Sequence, residues 1–221
     1  MYQYILTNRT EVKRRPDRAD YRPQSIEAIL DEGFVAHVGF AVDGQPYVIP
    51  MVYARDAQTL YLHGSPASRM LRGLRRGIPV CVTVTLLDGL VLARSAFHHS
   101  VNYRSVVVLG SAVEVTGPAE KRAALAALVE GIAPGRSAEA RPPSEKELDA
   151  TLVLALPLSE ASAKVRSGPP IDDESDYPLP VWAGEIPFRL VAGPPVPDPR
   201  KRPRAPLPAC LGYLPKSESS S

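Results

Sequence analysis

Four residues in one short stretch have types and spacing that could do chemistry. His63, Ser65, Ser68 and Arg69 lie within LYLHGSPASRMLRGLRRG, residues 60–77. Hydroxyls donate to anionic oxygens, and a guanidinium presents a planar fork of N–H donors. At a helix start, where backbone N–H groups lack partners and the dipole is positive, such residues suit a phosphate monoester. Ser65 is expected as the N-cap and Pro66 as the first helical residue. Met70, Leu71 and Leu74 give this helix an apolar face, and Gly77 is placed to end it. The same residues also fit a plain capped amphipathic helix with a solvated arginine face. His63 likewise has a plain reading, a strand-end imidazole bonded to backbone.

Few other residues compete for a chemical role. His98 and His99 are adjacent, so on a strand they point to opposite faces and do not readily share one metal. No other Cys, His and acidic residues stand at ligand spacing, and no metal site is expected. Cys81 falls in an apolar strand and Cys210 in a Pro-rich segment, so a disulfide is not expected. This cysteine usage fits a reducing compartment.

The surrounding pattern is mostly β. A helix over 25–32 ends at Gly33, and FVAHVGFAV (34–42) reads as a strand with Phe34, Val38, Phe40 and Val42 on one face. Asp43-Gly44 signals a hairpin, and the returning strand 45–54 carries Pro46 and Pro50, which need a bulge or a sheet edge. Strands are expected at 59–63, 80–87, 90–97, 104–115, 151–158, 161–166 and within 178–191, with Asp88-Gly89 as a second hairpin turn. Helices are expected at 118–130 and after the capping box Ser144-x-x-Glu147. Strands joined mostly by hairpins, with helices between some of them, favour an antiparallel sheet curling into a barrel, an α+β fold that is mostly β.

Composition sets the bounds. The 221 residues are 44% hydrophobic and 23% charged, enough for one packed domain and too apolar for global disorder. The net charge of +2 gives no ground for a nucleic-acid partner. No signal-peptide pattern or membrane-length apolar run is present, so a cytoplasmic protein with no membrane partner is expected. The expected organisation is a flexible arm at 1–22, a folded domain at 23–191 and a disordered Pro-rich tail at 192–221.

Three segments together carry a family resemblance: VIPMVYAR (48–55), LYLHGSPASRML (60–71) and HHSVNYRSVVVLG (98–110). SAKVRSGPP (162–170) and WAGEIPFRL (182–190) extend it. The set resembles the flavin-binding split barrels of the pyridoxamine 5′-phosphate oxidase family, above all its nitroimidazole-resistance-like and FMN-binding branches. The resemblance implies an antiparallel split β-barrel, a homodimer and FMN at the dimer interface, with FAD or a deazaflavin as alternatives sharing the phosphate handle. It implies that Ser65, Ser68 and Arg69 hold the phosphate. Ile49, Pro50, Met51, Val52 and Tyr53 would lie along the isoalloxazine. Arg104 and Ser105 would approach the flavin from a neighbouring strand, and His63 would stand beside it. The chain departs from the oxidase in two places. Ser105 replaces an amide, and the basic phosphate pair is reduced to Ser68-Arg69, with Arg72 one turn on. The implied activity is two-electron redox chemistry on a small-molecule substrate. A non-catalytic flavin carrier and a haem-binding split-barrel relative are the alternatives.

Overall fold

The computed structural model describes Tyr4, residues 6–200 and residues 207–208. Chain order begins with β1 (Ala19–Asp20) and α1 (Pro23–Glu32). Proline at the first turn of α1 costs no hydrogen bond, and Ile26, Ile29 and Leu30 share its buried face. Gly33 ends α1 where a Cβ would stand 2.6 Å from the Val84 side chain, so only glycine fits there unstrained.

Strands β2 (Val35–Val42) and β3 (Gln45–Asp56) form the first hairpin. Asp43 (φ 51°) and Gly44 (φ 80°) are both left-handed, the geometry that matches strand twist. Ala36, Val38 and Phe40 point into the core, whereas Phe34 precedes the strand and stays exposed. Val42 and Gln45 flank the two-residue loop as a hydrogen-bonded pair, and such pairs alternate along the ladder. Pro46 opposite Ala41 and Pro50 opposite His37 therefore fall at non-hydrogen-bonded sites. Their missing N–H groups face the outer side of β3, which among the described residues carries no strand before Tyr53. The two prolines sit at a sheet edge, one of the two solutions their chemistry allows.

Next come β4 (Thr59–Gly64) and α2 (Arg69–Arg75). The helix starts later than its sequence suggests. Ser68 is the N-cap, its Oγ accepting from Leu71 N at 3.4 Å, while Ser65 and Pro66 belong to the preceding turn. Ser65 Oγ accepts from Ala67 N and Ser65 O from Ser68 N, so this turn satisfies itself before the helix opens.

The second hairpin expectation is corrected. Strand β5 runs unbroken in direction from Val80 to Leu92, with a register shift at Leu87/Gly89 in place of a reversal. The chain turns back only at β6 (Ser100–Gly110). Asp-Gly here serves a bulge and a close approach: a Cβ on Gly89 would lie 2.6 Å from the Ile186 carbonyl. Then follow β7 (Val113–Glu114), α3 (Pro118–Ile132), α4 (Arg136–Glu139) and α5 (Glu145–Asp149), the last with its capping box formed. Strands β8 (Leu152–Pro157), β9 (Glu160–Arg166) and β10 (Gly184–Pro187) complete the sheet. The last strand is shorter than 178–191, and Trp182 lies outside it, exposed.

The ten strands are antiparallel in the order β1-β9-β6-β5-β2-β3-β4-β8-β7, with β10 on β5. Strand β3 is the corner, pairing β2 through its first part and β4 through its last. Val38, Val82 and Val106 from one half meet Leu60, Leu62 and Leu154 from the other in a single buried cluster. The end strands β1 and β7 do not pair, so the barrel is split rather than closed. Outside it, α3 covers the other face of β4 and β8 through Ala124, Leu125, Tyr61 and Val153.

Several described residues of the N-terminal segment contact the domain. Tyr4 is in the core cluster, Val12 N donates to Tyr21 Oη, and β1 pairs with β9. An edge pairing of two residues and one buried ring leave no periodicity to read. Residues 194–200 are exposed, and the rest of the expected tail, with Cys210, lies outside the described residues apart from 207–208. Among the described residues no helix is long and apolar enough to cross a membrane.

Candidate functional site

Alternation along β4 decides where His63 goes. Leu60 and Leu62 point into the barrel, so Tyr61 and His63 point out, beneath α3. There His63 forms part of the wall of a cavity of about 700 Å³, a size in the range of about 300–1,000 Å³ usual for cofactor sites. Leu125, Leu128, Val129 and Ile132 supply an apolar wall, one helical stripe of α3. The roof is the segment 136–143, folded back because the Glu130 carboxylate accepts from Gly135 N at 2.6 Å and Ser137 N at 2.9 Å. Two lining guanidiniums are tied together at the end of this roof: Arg122 donates to Pro143 O and to Glu145, and Arg141 donates to Pro142 O and to Glu147.

His63 Nδ1 is buried with no hydrogen-bond partner among the described residues. A buried ring nitrogen without a partner costs free energy, so its presence calls for a ligand or a reason. Burial also lowers the His63 pKa from its ordinary value, which keeps the ring neutral and its lone pair available at neutral pH. The backbone-bonded reading of His63 finds no hydrogen bond to support it.

The phosphate stretch lies just beyond, in the turn before α2. The Ser65 and Ser68 hydroxyls each accept from a backbone N–H and keep a proton to donate. The Arg69 guanidinium carbon sits 4.2 Å over the Tyr47 ring, itself stacked on Phe40. Arg69, Arg72 and Arg76 line a pocket of about 200 Å³. Among the described residues none of the three has a carboxylate partner, unlike Arg75, which faces Glu114 at 3.7 Å.

The remaining sequence-derived residues are dispersed. Ile49 and Pro50 are exposed on the open part of β3, and Met51 and Val52 are half-buried. Tyr53 is in the core, its hydroxyl donating to Leu30 O at 2.5 Å, and burial with nearby Asp31 pushes its pKa well up. Its side chain therefore faces away from the exposed edge. Arg104 is bound by two carboxylates, Asp88 at 2.8 Å and Glu32, which tie β6 to the β5 bulge and to α1. Its partners raise its pKa further, and its donors are committed. Ser105 Oγ donates to Lys164 O at 3.3 Å. His98 faces Asp173 and His99 faces Ser95 O, which makes a polar corner. Among the described residues no group of three or more His, Cys, Asp or Glu is placed to hold a metal ion.

Sequence reasoning missed the cavity itself. Leu125, Leu128 and Val129 read as ordinary core positions, and nothing in their spacing says that the opposing surface is recessed. Nothing in the sequence singles out Arg122 or Arg141.

The family model for pyridoxamine 5′-phosphate oxidase matches residues 22–165. The chain belongs to this family. No curated protein sequence matches it. Among solved structures, the flavocytochrome Anf3 from Azotobacter vinelandii is 44% identical with a TM-score of 0.89, covering 96% of this chain and 98% of its own. An FAD and haem binding protein from Mycobacterium smegmatis is 35% identical with a TM-score of 0.86, covering 90% of this chain and 98% of its own. A protein assigned to 5-nitroimidazole antibiotic resistance in Bacteroides thetaiotaomicron is 26% identical with a TM-score of 0.58, covering 66% of this chain and 86% of its own.

Proposed function

We propose that this protein is a redox protein that binds a flavin along the barrel edge and haem in the His63 cavity. The observation that carries the reading is the His63 imidazole, neutral and unpartnered, in the wall of an apolar cavity of about 700 Å³. The residues fit the group: haem is a flat apolar body whose iron takes a neutral imidazole nitrogen. The names of the two relatives above, a flavocytochrome and an FAD and haem binding protein, point the same way. The flavin supplies two-electron chemistry and the haem one-electron chemistry. The chain's part is to bind, orient and exclude water.

For the flavin, Ser65, Ser68 and Arg69 hold one phosphate. Arg72 and Arg76 extend the same unpaired positive face, which suits the diphosphate of FAD better than the single phosphate of FMN. The reading includes a homodimer. Val48 is 67% exposed on one face of β3 and Ile49 is exposed on the other, an apolar edge that a second copy would cover.

The test is direct. The full chain is purified, its absorption spectrum recorded, its extracted cofactors weighed by mass spectrometry and its mass measured by light scattering. A Soret band, flavin bands, the mass of FAD and a dimer are expected. A protein that takes up flavin but shows no Soret band after haem is supplied refutes the haem assignment. FMN as the extracted flavin refutes the role given to Arg72 and Arg76.

A further inference from the structure

We propose that Arg122 and Arg141 are the carboxylate anchors of the His63 cavity, each exchanging an exposed protein partner for one carboxylate of the bound macrocycle. This rests on the haem reading of the cavity.

The cavity is lopsided in its chemistry. Its α3 wall is apolar, and its two guanidiniums stand together beside the Pro142 and Pro143 carbonyls, Arg122 from α3 and Arg141 from the roof. Such a site selects a ligand with an apolar body and an anionic end. Besides its carboxylate partner, each guanidinium has a main-chain carbonyl that keeps a hold on it when that partner is exchanged. Arg122 donates to Pro143 O at 3.0 Å, and Arg141 to Pro142 O at 2.8 Å.

Their present carboxylate partners are easily released. The Glu145 side chain is 79% exposed, so water replaces Arg122 at little cost. Glu147 already accepts from Ser144 N at 2.7 Å and Ser144 Oγ at 2.9 Å as part of the α5 capping box. It stays satisfied when Arg141 leaves. Arginine beside an apolar cavity also gives a planar two-donor fork that fits a carboxylate.

The test compares iron protoporphyrin IX with its dimethyl ester, which keeps the apolar body and removes both negative charges. Each is titrated into the full chain produced without haem, with the Soret band as the readout. The ester is expected to bind about tenfold or more weakly, the loss of at least one charge-assisted bond. Arg122→Gln and Arg141→Gln should each weaken the free acid about tenfold and leave ester affinity unchanged. In the double variant the two ligands should bind alike. Equal affinity of the unaltered chain for acid and ester overturns the anchor assignment alone. So does a double variant, folded by circular dichroism, that still prefers the acid. Binding of neither ligand by the unaltered chain overturns the cavity reading and the anchors with it. The ester comparison uses the unaltered chain, so it does not depend on how the variants fold.

Discussion

Replacing His63 by leucine should make the cofactor-free protein more stable while abolishing haem uptake. The imidazole has one nitrogen buried without a partner, and its neighbours Val153 and Leu125 are apolar. An unpaired buried polar group costs about 1–3 kcal/mol. Leucine has no polar atom to leave unpaired and sits on the same outward face of β4. Part of the gain is lost because the side chain packs against an open cavity rather than a filled one. A net stabilisation of about 1 kcal/mol remains, which in a chain of 221 residues raises Tm by about 2–4 °C. With haem supplied, the order should reverse, because ligand binding stabilises the unaltered chain by mass action and gives the variant much less. The assay is a urea melt of both proteins with and without haem, alongside a Soret titration. A cofactor-free His63→Leu protein that is less stable by 1 kcal/mol or more would show that the imidazole holds the fold together. Undiminished haem binding by the variant would remove His63 from the site.

The pH dependence carries a sign. Burial lowers the folded pKa of His63, so its contribution to stability is present in full above about 6.5, the unfolded value, and is lost as pH falls through the lower folded value. Melts of the cofactor-free chain between about pH 7 and 5 should show that slope, and His63→Leu should reduce it. Arg69→Ala should weaken flavin binding about tenfold to a hundredfold by fluorescence titration. It should also lower the stability of the flavin-free fold by about 0.5–1 kcal/mol through loss of the Tyr47 contact. Gly89→Ala should detach β10, because its Cβ would meet the Ile186 carbonyl at 2.6 Å. A cost of about 1–3 kcal/mol in a denaturant melt is expected, with faster amide exchange at residues 184–187. Unchanged exchange there would show that the sheet absorbs the methyl.

The barrel was legible because its signals are local and repeated. Alternation in 34–42, the Asp43-Gly44 turn and the β-branched run at 80–87 each name a strand without reference to the rest. Asp88-Gly89 misled because the same dipeptide serves a hairpin and a bulge, and only the approach of β10 decides between them. Ser65 misled in the same way, since a serine before proline caps a helix or closes a turn. Arg104 shows a deeper limit. Its two carboxylate partners lie 72 and 16 residues away, so its commitment is a property of the folded chain alone. The cavity was invisible for a related reason: a recess is defined by what two surfaces fail to fill.

The prolines of β3 bear on how copies of this chain can meet. An uncovered strand edge ordinarily invites another strand to add to it. Here the outer edge lacks an N–H at Pro46 and again at Pro50, a gap every fourth residue. No continuous ladder can extend the sheet from that side. Two copies brought together along β3 would therefore meet through side chains rather than a shared ladder, and a fibre grown by strand addition at this edge is closed off from the start.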